Sequence, residues 1–143
     1  MKYYVGIDLG GTFIKAGVVD EQYNILAKAS IPSQVDGDAE GLADRMAECA
    51  GKAMAELGLT IDDIAAVGVG TPGAVDSKTG LVVYANNLGF VNVPLQEYLE
   101  KRLHTSVYLE NDANVAAYGE FLAGAAAGVQ DAVVVTLGTG VGG

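Results

Sequence analysis

Short apolar runs rich in β-formers alternate with longer stretches of helical period along this chain. "YYVGID" (residues 3 to 8), "TFIKAGVVD" (12 to 20) and "NILAKASI" (24 to 31) follow one another across very short links. Runs of that length and composition predict strands, and links that short predict an antiparallel meander. The polar "SQVDGDAEG" then leads into a helix from about Ala39 to Leu57. Its apolar stripe of Leu42, Met46, Cys49, Ala53 and Leu57 recurs at spacings of four, three, four and four, and Gly58 ends it.

"IAAVGVG" (64 to 70) predicts a further buried strand, and "AVDSKTGLVVY" a hairpin turning on Ser77 to Gly80. "PLQEYLEKRL" (94 to 103) predicts a short helix with Pro94 in its first turn. "SVYLEN" reads as a strand, "ANVAAYGEFLAGAAAG" as an Ala-rich helix, and "DAVVVTLGTGVGG" as another strand with a glycine loop. The order β-β-β-α-β-hairpin-α-β-α-β predicts an α/β lobe: a mixed five-stranded sheet with flanking helices. So apolar a final strand needs neighbours on both sides. We therefore place one unit at 1–129 and the first strand and loop of a second at 130–143.

Composition narrows the function classes. Half of the 143 residues are hydrophobic, enough for a real core. Eighteen acids against eight bases give a net charge of −10, which repels phosphate backbones and anionic membranes, so neither nucleic acid nor membrane is an expected partner. Cys49 is the single cysteine, so no internal disulfide forms, which fits a reducing, cytoplasmic compartment. The N-terminal apolar run is short and broken by Asp8, unlike a signal peptide, and no stretch reaches transmembrane length.

Three stretches carry candidate chemistry. "DLGGT" (8 to 12) reads either as a plain hairpin turn or as a cradle whose backbone N–H groups, with the Thr12 hydroxyl, point at an anion. Asp8 would repel a phosphate there unless a cation such as Mg²⁺ lay between them, and Lys15 could add a point charge. "LGTGVGG" (137 to 143) repeats the arrangement after another strand. Gly138, Gly140 and Gly143, like Gly68, Gly70 and Gly73, fit a dinucleotide fingerprint, yet neither set is followed by the helix and acid it requires. No P-loop pattern is present. In "LENDANVAAYGE" (109 to 120), Asp112 follows a strand and precedes a helix, so it is either an N-cap or a general base at a strand's carboxyl end. Asn86, Asn87, Asn111, Asp112 and the Gly73 backbone could ring a polyol if their loops converge. His104 reads as structural or exposed, Cys49 as core, and Glu97 and Glu100 as a solvated helix face.

Taken together, "GIDLGGT", "GVGTPGAVD", "LENDANVAAYGE" and "TLGTGVGG" resemble, in order and spacing, the N-terminal half of sugar kinases of the ROK family (repressor, open reading frame, kinase). That resemblance implies a ribonuclease-H-like lobe of the actin-like ATPase fold. It implies an ATP- and Mg²⁺-dependent hexokinase, glucose being the first expected substrate. Kinases for N-acetylglucosamine, N-acetylmannosamine, fructose or allose are alternatives, as is a non-catalytic sugar- or partner-binding module. By resemblance, Gly10, Gly11 and Thr12 belong to the first ATP phosphate loop and Gly138, Thr139 and Gly140 to the second, with Lys15 as the candidate substitute for a Lys that some members carry directly after the Thr. The same resemblance puts Asp8 on the magnesium side, makes Asp112 the expected catalytic base, and makes Gly73, Ala74, Asn86, Asn87, Asn111 and Asp112 the expected sugar contacts. Phe13 stands where some members carry Lys, and "YANNLGF" lacks that segment's usual proline and tryptophan. The adenosine pocket and a structural zinc cluster belong to the family's second half. The expectation is thus half an active site, inert alone, with a homodimer in the full-length form. The first strand at Tyr3 leaves no helix-turn-helix before it, which disfavours the repressor branch.

Overall fold

The computed structural model describes residues 2–112, together with the backbone at 136–137 and 141–142. The meander forms as its pattern predicts: β1 (Tyr3–Leu9), β2 (Phe13–Asp20) and β3 (Ile25–Pro32) pair antiparallel in sequence. Helix α1 (Ala39–Ala55) then crosses over to β4 (Ile64–Thr71), which pairs parallel to β1. A short hairpin sheet follows, built from β5 (Ala74–Asp76), β6 (Leu81–Ala85) and β7 (Phe90–Val93). Helix α2 (Leu95–Leu103) leads to β8 (Val107–Asn111), which pairs parallel to β4. The main sheet is five-stranded and mixed, in the order β3-β2-β1-β4-β8. β9 (Thr136–Leu137) and β10 (Val141–Gly142) pair with each other.

Register explains the core. Val18, Val5, Val67 and Val107 stand side by side across four strands, and so do Ala16, Ile7, Val69 and Leu109. All eight are buried. Strand periodicity puts them on one face of the sheet, where α1 lies over β1 to β3 and α2 beside β8. Leu42, Met46, Cys49, Ala50 and Ala53 of α1 are buried there with them, at the helical spacing the sequence carries. Cys49 is core, as expected: its thiol donates to the Ile14 carbonyl at 3.5 Å, and burial pushes its pKa up. The opposite face places Gly17, Gly6 and Gly68 in one row, lining a shallow apolar trough of about 880 Å³. Among the described residues no helix covers that face, and none is long and apolar enough to cross a membrane.

Several boundaries differ from expectation for local reasons. α1 stops at Ala55, before Leu57, because Gly58 (φ +66°) and a turn of Leu57 N–H onto the Met54 carbonyl close it. Pro94 caps α2 from outside its first turn. "YANNLGF" carries regular structure: Asn86–Leu88 forms a 3-10 helix closed by Gly89 at φ +67°, and Phe90 opens β7 with its ring buried. Glu97 lies on a solvated face beside Lys101, as expected, but Glu100 accepts a hydrogen bond from the Val107 N–H at 3.2 Å. His104 is structural: it takes φ +56° and ends α2. The Ala-rich helix expected after Asp112 and most of the strand expected over 131–137 lie outside the described residues.

Asp20 ends β2 and accepts from the Asn24 side chain at 3.0 Å, the Asn24 N–H at 3.0 Å and the Gln22 N–H at 2.9 Å. These donors, the Asn24 side chain foremost, hold its pKa below the ordinary aspartate range. The folded pKa lies below the unfolded one, so this contribution to stability is complete at neutral pH and disappears as pH falls through the folded pKa. Asp20→Ala should therefore lower the thermal midpoint at pH 7. The gap to wild type should close as pH drops below about 4. Thermal melts followed by circular dichroism across that range check this.

Candidate active site

Parallel pairing of β1, β4 and β8 brings their carboxyl ends to one end of the sheet. Asp8, Gly70 and Glu110 are in register there, and Thr71 stands opposite Asn111. Three loops therefore gather: Gly10 to Thr12 after β1, Pro72 and Gly73 after β4, and Asp112 after β8. Open α/β sheets bind ligands at this place.

The first loop is tightly closed. The Gly10 N–H donates to the Phe13 carbonyl at 3.0 Å, and a Cβ on Gly10 would meet that oxygen at 2.6 Å. Gly10 is thus required by close approach, not by a left-handed backbone. Nothing lies within 4 Å of where a Gly11 Cβ would stand, so the loop's outer side is open at that point. Gly11 and Thr12 are exposed. Ser33, just past β3, holds the loop from below: its hydroxyl donates to the Gly10 carbonyl at 2.6 Å and its N–H to the Thr12 carbonyl at 2.9 Å.

Asp8 projects from the face of the sheet away from α1, and Lys15 is its cross-strand neighbour. Desolvation raises the Asp8 pKa, the nearby Asp112 carboxylate raises it further, and Lys15 opposes both. The two carboxylates expected to hold magnesium and to act as base are therefore close enough to repel. A divalent cation relieves such an excess of negative charge, and carboxylate oxygen is the donor magnesium takes, so these residues fit that ion. Lys15 stands beside Asp8.

The expected sugar-contacting residues are brought together through Gly73. Its carbonyl accepts from the Asn111 side chain at 2.8 Å. Gly73 takes φ +94°, and a Cβ there would collide with the Tyr84 carbonyl oxygen and reach Ala85 at 2.8 Å. The Pro72–Gly73 turn thus packs against the end of β6, immediately before Asn86, whose side chain accepts from the Tyr84 hydroxyl at 3.3 Å. Asn86, Asn87, Gly73 and Ala74 are exposed, and Asn111 and Asp112 half-buried. Gly138, Thr139 and Gly140 lie outside the described residues.

Residue patterns alone did not reveal Ser33, Arg45, Ser77 or Glu110. Ser77 donates to Glu110 at 3.2 Å, and the Asn111 N–H donates to the other Glu110 oxygen at 2.8 Å, which ties the hairpin to the end of β8. The Ser77 contact to Glu110 arises only when segments far apart in sequence pair. A serine in a polar loop carries no sequence signal for it.

Comparisons with known proteins bear on family and fold. The pattern of the ROK family matches residues 4–143. The glucokinase of Halalkalibacterium halodurans is 34% identical over 142 residues, covering 99% of this chain but 43% of that enzyme. The crystal structure of a ROK family glucokinase from Streptomyces griseus, in complex with glucose and AMPPNP, superposes with a TM-score of 0.88 at 40% identity, over 98% of this chain and 43% of that one. An inorganic polyphosphate/ATP-glucomannokinase from Arthrobacter superposes with a TM-score of 0.77 at 34% identity, over 99% of this chain and 57% of that one. The chain thus spans less than half the length of the glucokinases it matches. Its mixed sheet and flanking helices have the actin-like ATPase fold of those enzymes. With the family's pattern running across nearly its whole length, the chain belongs to the ROK family.

Proposed function

We propose that this chain supplies the sugar-binding and base-bearing half of an ATP-dependent hexose kinase, with glucose as the substrate. The observation that carries the reading is the convergence of three loops at the carboxyl ends of β1, β4 and β8, where the Asp8 pKa is raised by desolvation and by the Asp112 charge. Likeness to a glucokinase crystallised with glucose and AMPPNP supports the choice of sugar and nucleotide.

In this reading the Asp112 carboxylate accepts the proton of the sugar hydroxyl that attacks the terminal phosphate. Asn111, held by the Gly73 carbonyl, orients the sugar, and Gly73, Ala74, Asn86 and Asn87 line the same side. Gly11 and Thr12 face the phosphates of ATP, Gly10 closes the loop through its N–H on the Phe13 carbonyl, and Lys15 beside Asp8 adds positive charge. Magnesium, when bound, supplies charge neutralisation on those phosphates, and Asp8 is the carboxylate that would hold it. Gly138, Thr139 and Gly140 belong to the second phosphate loop. Assembly of the enzyme as a homodimer completes the proposal.

Sugar-dependent ATP consumption by the full-length natural protein tests the activity. There Asp112→Asn should lower kcat by about 10²- to 10⁴-fold, the usual worth of a general base, while glucose binding by calorimetry persists. Retained turnover removes Asp112 from the role. Gly73→Ala should strain the backbone by ~1–3 kcal/mol and displace the carbonyl that holds Asn111. Its signature is a rise in KM for glucose that exceeds the rise in KM for ATP. Equal rises in both would mean a general loss of fold.

A further inference from the structure

We infer that Ser33, held by Arg45, is a positioning residue for the nucleotide phosphates: it fixes the peptide planes of the Gly10–Thr12 loop so that the Gly11 N–H faces the ligand. The inference rests on the proposed function, since it presumes that this loop meets phosphate. Ser33 is fully buried and spends both of its donors on the loop, the hydroxyl on the Gly10 carbonyl and the N–H on the Thr12 carbonyl. The peptide joining Gly10 to Gly11 is trans, as are all described peptides, and a peptide unit is close to planar. A trans unit directs its N–H opposite to its C=O. With the Gly10 carbonyl turned in toward Ser33, the Gly11 N–H is therefore turned away from it. Gly11 is exposed, and nothing lies within 4 Å of where its Cβ would stand, so the loop is accessible to an anion there.

Arg45 makes the arrangement rigid. Its Nε donates to the Ser33 carbonyl at 2.6 Å and its Nη2 to the Gln34 carbonyl at 2.8 Å. A planar guanidinium that engages two successive carbonyls restricts both. Arg45 rides on α1 between the buried Leu42 and Met46, so the loop is referenced to the packed core through Arg45 and Ser33. Neither residue is placed against the sugar or beside Asp112. Their effect should therefore fall on nucleotide and spare sugar.

The test measures AMPPNP and glucose affinity separately by calorimetry, with kcat, both KM values and thermal midpoints, in the full-length natural protein. Ser33→Ala removes one hydroxyl and keeps the backbone donor. It should weaken AMPPNP about tenfold or more and raise KM for ATP in proportion, with glucose affinity unchanged. Ser33→Thr, which keeps the hydroxyl, should recover most of the loss. Arg45→Lys keeps the charge but not the fork, and should give a smaller loss of the same kind. That variant also probes the brace should Ser33→Ala fail to fold. Unchanged AMPPNP affinity in both variants overturns the inference, as does a parallel fall in AMPPNP affinity, glucose affinity and thermal midpoint. Wild-type protein that binds AMPPNP but consumes no ATP with any hexose would defeat the kinase reading alone, leaving the brace to be judged on affinity. No AMPPNP binding by wild type would defeat both.

Discussion

Parallel insertion of β4 between β1 and β8 is the constraint on which the rest of this structure depends. It aligns three strand ends, and each end delivers one component of the site: Asp8 with the Gly10–Thr12 loop, the Pro72–Gly73 turn, and Asn111 with Asp112. The insertion holds because one face of these strands is continuously apolar. Val5, Val67 and Val107 are adjacent in register, as are Ile7, Val69 and Leu109, so a slip of one residue would turn every one of them away from α1 and α2. Burial thus sets the register, and register sets which polar residues meet at the sheet's end.

The same alternation governs the charged face. Residues between the core positions point the other way, and near the strand ends these are Asp8, Lys15 and Glu110. Carboxylates concentrated at one edge of an already acidic chain resist folding unless cations or donors offset them. Lys15 opposes Asp8, while Ser77 and the Asn111 N–H engage Glu110. At Asp8, desolvation first and the Asp112 charge second outweigh Lys15 and hold the carboxyl above the ordinary aspartate range. Groups shifted by burial together with a neighbouring charge cluster at functional sites, which is why this strand end is the candidate one.

Much of this was legible in the sequence because the signals were local. The meander, α1, the β5–β6 turn and the mixed sheet follow from short apolar runs, helical spacing, and turn residues such as Gly80, all within a few positions of each other. Clusters such as "DLGGT" and "END" likewise mark strand ends, because glycine, carboxylate and amide are unusual neighbours for an apolar run. β7 escaped because its burial rests on one residue, Phe90, after a 3-10 turn that reads as a loop. Glu100 escaped because its partner, Val107, lies beyond the helix, across a chain reversal set by His104. Ser33 and Arg45 escaped for a stronger reason: their partners are carbonyl oxygens, which every residue owns and no side-chain pattern marks.

That last point bears on how a glycine loop comes to have a definite shape. Glycine widens the backbone's choices, so a loop of two glycines is by itself poorly specified. Here three contacts remove the freedom: the Gly10 N–H on the Phe13 carbonyl, and two donors from Ser33 on the carbonyls flanking Gly11. The third, open side is left to whatever binds. An anion site made of backbone N–H groups works only when those groups are aimed before the ligand arrives, since aiming them afterwards would cost the binding energy they supply. The loop's sequence grants room for a ligand, and the buried serine behind it determines where the amides point.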